Sequence, residues 1–337
     1  MPKTILVTGA SGYIGSHTCV ELLRADFVVI ALDNLCNSSR EAIARVERIS
    51  GKSLPFYEAD VRDRAALDFI LREHAIDAVI HFAGLKAVGE SVTRPLLYFD
   101  NNVSGTVTLL QALSDVRVKR FVFSSSATVY GDPESVPIME SARISATNPY
   151  GRSKLMVEQV LDDVMQADPD WHIGILRYFN PVGAHPSGLI GEDPKGTPNN
   201  LMPFVAQVAV GRRTKLAVFG SDYPTPDGTG VRDYIHVVDL ALGHVAALRR
   251  LFAQDGRFTV NLGTGQGYSV LEVVRAFEAV SGCAVPFDIA PRRAGDIATC
   301  YASPTEAREL LGWRAEKNLE HMCADHWNWQ KMNPQGY

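Results

Sequence analysis

Tyr150 and Lys154 lie four residues apart in Asn148-Pro149-Tyr150-Gly151-Arg152-Ser153-Lys154. On a helix that spacing stacks the two side chains on one face, one turn apart. A free phenol keeps its proton up to a pKa of about 10, and a neighbouring ammonium favours the phenolate. The pair therefore reads as a general base expected to work near neutral pH. A serine from Ser124-Ser125-Ser126 could share a substrate hydroxyl proton and polarise the carbonyl that forms from it. An alcohol carbon losing its hydroxyl proton in this way also loses a hydride, so an acceptor is needed close by.

The acceptor's place is marked at the other end of the chain. Gly9-Ala10-Ser11-Gly12-Tyr13-Ile14-Gly15 follows an apolar run and opens a helical pattern. Gly9 suits the tight turn, Gly12 lets a pyrophosphate approach the backbone, and Gly15 lets helix and strand pack closely. The helix N-terminus adds free amides and the positive end of its dipole. Asp33 ends the second apolar run, where a carboxylate can bind both hydroxyls of an adenosine ribose and repel a 2′-phosphate. NAD is therefore expected rather than NADP. Taken singly, Asp33 has a second reading as a cap on the turn at Asp33-Asn34-Leu35. Asp60 reads as either an adenine contact or a cap.

The elements that must hold these groups can be traced in order. Strands are expected at Thr4–Val7, Phe27–Leu32, Leu54–Glu58, Ala78–Phe82, Arg120–Phe123 and His172–Arg177. Helices are expected between them, at about Gly15–Arg24, Arg40–Ile49, Asp63–His74, Leu96–Leu113 and Pro149–Ala167. Pro149 suits the first position of the last of these. Strand and helix alternating on short connections predict βαβ units, hence an α/β fold with a Rossmann-type doubly wound parallel sheet. Ligands gather at the carboxyl ends of such strands, which is where the polar candidates fall. After Asn180 the chain becomes richer in Pro, Gly and Asn. Residues 1–180 are thus expected to form the dinucleotide-binding domain, and 181–337 a smaller, interwoven α/β substrate lobe. Segments such as Tyr234–Val238 are expected to return to the first domain.

Bulk properties exclude other classes. The chain has 337 residues, 46% of them hydrophobic, which allows one large domain or two medium ones. A net charge of −5 leaves no footprint for nucleic acid or an anionic membrane. No apolar run reaches the length of a membrane span, and the first residues lead straight into a strand without a signal core. The five scattered cysteines read as reduced thiols, so a cytoplasmic location is expected. His321, Cys323 and His326 share a helical stretch but lack metal-ligand spacing, so no metal is expected. His17, His81 and His236 read as local hydrogen-bonding groups.

Together the glycine turn, Tyr150-Gly151-Arg152-Ser153-Lys154 and Ser124-Ser125-Ser126-Ala127-Thr128-Val129-Tyr130-Gly131 resemble the extended short-chain dehydrogenase/reductase family. The likeness narrows at Gly12–His17, His81–Ser91, Arg177–His185 and Gly230–His236, which look like the UDP-hexose 4-epimerase branch. The resemblance covers nearly the whole chain. It implies tightly bound NAD and redox-neutral interconversion of UDP-glucose and UDP-galactose by C4 inversion through a 4-keto sugar.

Carried over residue by residue, the resemblance makes Tyr150, Lys154 and Ser126 catalytic. It puts Gly9, Gly12, Tyr13, Ile14, Gly15, Asp33, Asn34, Asn37, Ser38, Asp60, Val61, Phe82, Ala83, Gly84, Lys86, Asn101, Ser124 and Phe179 on NAD, with Tyr150 and Lys154. Ser126 and Tyr150 also meet the sugar nucleotide, with Asn180, Asn200, Phe219, Arg232, Arg293, Asp296 and Cys300. The two arginines would clamp the diphosphate, Phe219 would flank the uracil, and Asp296 would meet the ribose. Cys300 stands where some relatives carry a tyrosine beside the sugar's 2-substituent. The smaller thiol implies room for UDP-GlcNAc and UDP-GalNAc, unless Tyr301 swings into the gap. A homodimer is implied through the Leu96–Leu113 and Pro149–Ala167 helices. The rivals are a 4,6-dehydratase, which Ala127-Thr128 after Ser126 disfavours, a uronate 4-epimerase, and a non-catalytic dinucleotide sensor.

Overall fold

The computed structural model describes residues 2–293 and 295–337. Its centre is a sheet of seven parallel strands: β1 (Thr4–Thr8), β2 (Val28–Asp33), β3 (Phe56–Glu58), β4 (Ala78–His81), β5 (Arg120–Ser126), β6 (His172–Tyr178) and β10 (Arg257–Leu262). They lie side by side in the order β3-β2-β1-β4-β5-β6-β10. β1 therefore has β2 on one side and β4 on the other, and the crevice opens where the winding reverses. The Rossmann-type sheet expected above is present. One strand more completes it, because Arg257–Leu262 returns to pair with β6, Val260 opposite Leu176.

Alternation along β1 divides the interior. Ile5 and Val7 face one core, which also holds Val20, Leu240 and Leu248. Leu6 faces the other, with Leu67, Leu109 and Leu161. Successive strand side chains point to opposite faces, so every strand must be apolar on both. The helices covering the sheet are α1 (Tyr13–Arg24), α2 (Arg40–Ser50), α3 (Arg64–Glu73), α4 (Val88–Thr93), α5 (Pro95–Tyr98), α6 (Gly105–Asp115), α7 (Pro149–Ala167) and α9 (Val237–Ala253). Their starts carry local signals. The Asp63 side chain accepts from Ala66 N at 3.1 Å, and Asn148 caps α7 through Gly151 N at 2.9 Å with Pro149 in its first turn.

The expected Leu96–Leu113 helix is not uniform. α5 passes into a π-helical stretch, Phe99–Ser104, before α6 resumes. The wider winding sets Asn101 and Asn102 inward and buried. Asn102 Oδ1 accepts from Leu85 N at 2.8 Å, and its Nδ2 donates to Leu85 O and Ser153 Oγ, each at 3.0 Å.

The remaining elements form a second assembly. β7 (Asn180–Val182), β9 (Val231–His236), β11 (Gly267–Ser269) and β13 (Thr299–Cys300) make one small sheet. β8 (Leu216–Phe219) and β12 (Phe287–Ala290) make another. With α8 (Leu201–Ala209), α10 (Val270–Ser281) and α12 (Leu319–Met332) they surround a separate apolar core around Met202, Val274, Phe277 and Met322, whereas α11 (Thr305–Leu311) packs back on α9 and β10 with Ala307 in the first core. α10 starts with a capping box, Ser269 and Glu272, and stops at left-handed Gly282.

Candidate active site

The glycine turn is built as its spacing requires. Gly9 has φ +69°, and a Cβ there would lie 2.7 Å from Ala83 N. A Cβ on Gly15 would lie 2.1 Å from Gly9 O, so α1 can reach the turn only without a side chain there. Gly12 sits at the N-cap of α1, and no side chain caps the helix, which leaves its first amides to meet an anion. Asp33 closes the turn from the neighbouring strand. Its Oδ2 accepts from Ser11 N at 3.0 Å, and its Oδ1 accepts from Leu35 N at 2.9 Å and Ser38 Oγ at 2.8 Å. Asp33 thus fastens the turn, as its capping role requires, and also lines the cleft beyond it.

That cleft has a volume of about 640 Å³. Its wall gathers Gly9, Gly12, Tyr13, Ile14, Gly15, Asp33, Asn34, Asn37, Ser38, Val61, Phe82, Ala83, Gly84, Lys86, Asn101, Ser124, Tyr150 and Lys154. Two expected cofactor residues stand apart. Asp60 is engaged by Arg62, which donates from N and Nε at 2.9 Å, and by Asn34 Nδ2 at 2.9 Å. These donors, Arg62 foremost, hold its carboxyl well below the usual carboxylate range. Phe179 is buried in a small cluster with Val129, Tyr130 and Ala302, against which Cys300 and Ala127 pack.

At the floor of the cleft β5 delivers the serines and α7 the tyrosine and lysine. Lys154 Nζ donates to Ser124 O at 2.6 Å and lies 6.0 Å from the Tyr150 ring centre. Burial pushes Lys154 down to about 8, with Glu158 opposing. Tyr150 lines the same floor. Its phenol is raised above the ordinary value, because burial outweighs a hydrogen bond with Ser126. The lysine serves the Ser124 carbonyl and stands a ring's width away, so the chain by itself holds the phenol protonated. Ser126 Oγ also accepts from Thr128 N at 3.2 Å and Thr128 Oγ1 at 2.9 Å, which fixes its direction.

Behind this floor, Glu158 and Arg177 form a buried pair, Nη2 to Oε2 at 2.6 Å and Nε to Oε1 at 3.0 Å. Ser125 donates to the same carboxylate, and Arg177 Nη1 donates to Tyr130 OH at 3.0 Å. The pair ties α7 to β5 and β6, so the tyrosine and the serines keep a common frame.

Apart from Ser126 and Tyr150, the expected sugar-nucleotide residues lie on or beside the second assembly. Arg232 on β9 sits beside Cys300 on β13, and both Arg232 and Arg293 act electrostatically on Tyr234. Arg293 Cζ lies 4.8 Å from the Phe219 ring centre, and its Nε donates to Asp296 at 2.9 Å. Phe219 is exposed, as a flat surface for a base would be. Asn180 opens β7 and is exposed. Asn200 Nδ2 donates to Glu192 Oε1 at 2.7 Å. Burial pushes the Cys300 thiol up to about 11.

Some cleft residues escaped the sequence reading, among them Tyr178, Glu192 and Tyr337. Tyr178 could have been found as the polar end of β6, beside the serines of β5. Glu192 and Tyr337 carry no local signal, since only the fold brings them there. Among the described residues no group of acids, cysteines and histidines has metal-site geometry, and no helix is long and apolar enough to cross a membrane.

The match to a family model, the NAD dependent epimerase/dehydratase family, spans residues 5–263. The chain belongs to that family. Among curated relatives it is 62% identical to a protein of Bacillus subtilis (strain 168) named UDP-glucose 4-epimerase, over 99% of this chain and 98% of that one. It is 60% identical to a protein of the same name from Yersinia pestis, over 99% of both. Among solved structures, UDP-glucose 4-epimerase from Bifidobacterium longum in complex with NAD+ and UDP superposes with a TM-score of 0.97 at 56% identity, covering 99% of this chain and 100% of that one. The UDP-Glc/GlcNAc 4-epimerase of Campylobacter jejuni superposes at 0.85 with 38% identity, covering 98% and 99%.

Proposed function

We propose that this chain is an NAD-dependent isomerase that interconverts UDP-glucose and UDP-galactose by inverting C4. The observation that carries the reading is the floor of the glycine-turn cleft, lined by Tyr150, Lys154 and Ser124 with Ser126 next to the phenol, with high identity to relatives of that name in support. The cleft fits the dinucleotide: the α1 amides and the bare backbone of the turn suit a pyrophosphate, and Asp33 suits a ribose diol. When bound, oxidised NAD supplies a hydride acceptor for C4 and a positive ring charge beside the phenol.

The chain's own groups do the rest. Tyr150 takes the 4-hydroxyl proton once positive charge offsets its burial. Ser126, held by Thr128, donates to the oxygen that becomes a carbonyl. Lys154, aimed by its bond to Ser124 O, would help hold the dinucleotide beside the phenol. Arg232 and Arg293 hold the diphosphate, and Asn180 and Asn200 the rest of the substrate, while the 4-keto sugar turns its other face toward the hydride that must return to C4; Tyr150 then gives the proton back to the 4-oxygen.

Three finer readings go with this one. UDP-GlcNAc and UDP-GalNAc are further substrates, because Cys300 occupies less of the sugar pocket than a tyrosine would. The chain forms a homodimer through α6 and α7, where Leu110, Val160, Val164 and Trp171 line an apolar groove of about 280 Å³. It works in the cytoplasm, in keeping with its five free cysteines.

The test is incubation of purified protein with UDP-galactose and UDP-GlcNAc separately, without added cofactor. Formation of the C4 epimer supports the reading, and its absence even after NAD is added overturns it. Tyr150→Phe should abolish turnover with NAD still bound, whereas a dinucleotide sensor would be indifferent.

A further inference from the structure

Glu192 stands out among the cleft residues that the reaction does not use. Its side chain is only 5% exposed, yet it lines the cleft. One oxygen, Oε1, takes two donors: Lys86 Nζ at 3.0 Å and Asn200 Nδ2 at 2.7 Å. The other, Oε2, is buried and has no partner. Buried carboxylate oxygens are almost always satisfied, and an unmade bond is destabilising.

The loop beneath it is held firmly. Gly191 lies flat on Trp329, where a Cβ would come within 2.4 Å of the ring. Arg45 donates to Leu189 O at 2.9 Å and to Asn333 at 2.6 Å. Asn333 Nδ2 donates to Gly188 O at 2.9 Å, and Tyr337 N donates to Asp193 at 3.0 Å. Four contacts from elsewhere in the chain thus hold the carboxylate at one spot, between a lysine on the dinucleotide side and an amide on the sugar-nucleotide side.

We propose that Glu192 is a positioning residue that sets how firmly the sugar-nucleotide diphosphate is held: it presents Lys86 and Asn200 to the cleft, and its charge offsets that of Lys86. The inference rests on the proposed function only for the identity of the ligand, a nucleoside diphosphate. Its logic is electrostatic. With the carboxylate present the Glu192–Lys86 pair is neutral, so anions in the cleft meet two oriented donors but no excess of positive charge. Without it a free ammonium faces two diphosphates and release of the product slows. An enzyme that must let its product go gains from that restraint.

The test is calorimetric titration of UDP into the NAD-loaded wild type, Glu192→Gln and Lys86→Met, at low and high salt. Glutamine keeps an acceptor for Asn200 and removes only the charge. Glu192→Gln is expected to bind UDP roughly three- to tenfold more tightly at low ionic strength, and Lys86→Met more weakly by a similar factor, both differences shrinking at about 0.5 M salt. In turnover, Glu192→Gln should lower KM and kcat together as release becomes limiting. Unchanged or weakened UDP binding in Glu192→Gln overturns the proposal, as does a tightening that salt does not diminish. If Glu192→Gln fails to fold, Lys86→Met decides: unchanged or tighter binding overturns it. A wild type that binds UDP but epimerises no UDP-hexose defeats the proposed function and leaves this inference standing. Normal epimerisation with an unmoved affinity in Glu192→Gln defeats this inference alone.

Discussion

Replacing Lys154 with methionine should make the nucleotide-free protein more stable while disabling it. Burial moves the lysine from its ordinary 10.5 to about 8, so keeping it charged at pH 7 costs roughly 3 kcal/mol at about 1.36 kcal/mol per pH unit. Methionine fills similar space without a charge. It also abandons the Ser124 carbonyl, whose 2.6 Å bond is lost at a cost of about 1 kcal/mol. The net gain is about 2 kcal/mol, or a rise in Tm of about 3 °C. The sign with pH follows from proton counting. The folded state sheds this proton near pH 8, while the unfolded chain keeps it to about 10.4. Between those values the unfolded state binds more protons, so wild-type stability rises with pH. The advantage of Lys154→Met should therefore be constant below pH 8 and fade toward pH 10, then reverse, because the abandoned carbonyl remains. Differential scanning calorimetry from pH 6 to 10 measures this on protein stripped of nucleotide, since a bound ligand adds its own stabilisation. A variant less stable than wild type at pH 7, or a gap that does not move with pH, would refute the reasoning.

Cys300→Tyr should remove turnover of N-acetyl substrates and spare UDP-galactose, as followed by chromatography of the products; equal loss of both would refute the steric account. Glu158→Ala should destabilise the protein by about 3–5 kcal/mol in urea titrations, because it strands the buried Arg177 guanidinium. Gly15→Ala should abolish NAD binding, since the added Cβ would meet Gly9 O at 2.1 Å; fluorescence titration with NADH would show it. Asp33→Ala should narrow the preference for NAD over NADP measured in the same titration.

Much of this was readable before the fold. β1, β2 and β4 are short runs apolar on both faces because helices cover both sides of the sheet, and such runs are visible in sequence. The start of α7 matches its local signal, Pro149 in the first turn. What was not legible depends on distance. The π-helical turn at Phe99–Ser104 obeys Asn102, whose partners Leu85 and Ser153 are remote in sequence. The place of Arg257–Leu262 in the main sheet is equally hidden, since an apolar run does not name its neighbour. The environment of the Tyr150 phenol was hidden for a related reason. Spacing puts a lysine on the same face of the helix, but burial and the direction of Nζ toward Ser124 O are properties of the packed site.

The late return of β10 to the sheet bears on how the chain acquires its shape during synthesis. When β6 leaves the ribosome its outer edge has no partner, and the strand that will cover it is translated only after β7, β8 and β9. Until then the edge is a row of free amides and carbonyls open to other chains. The dinucleotide half therefore cannot finish ahead of the rest, and a fragment cut after β6 would be prone to stick to its own kind rather than stand alone.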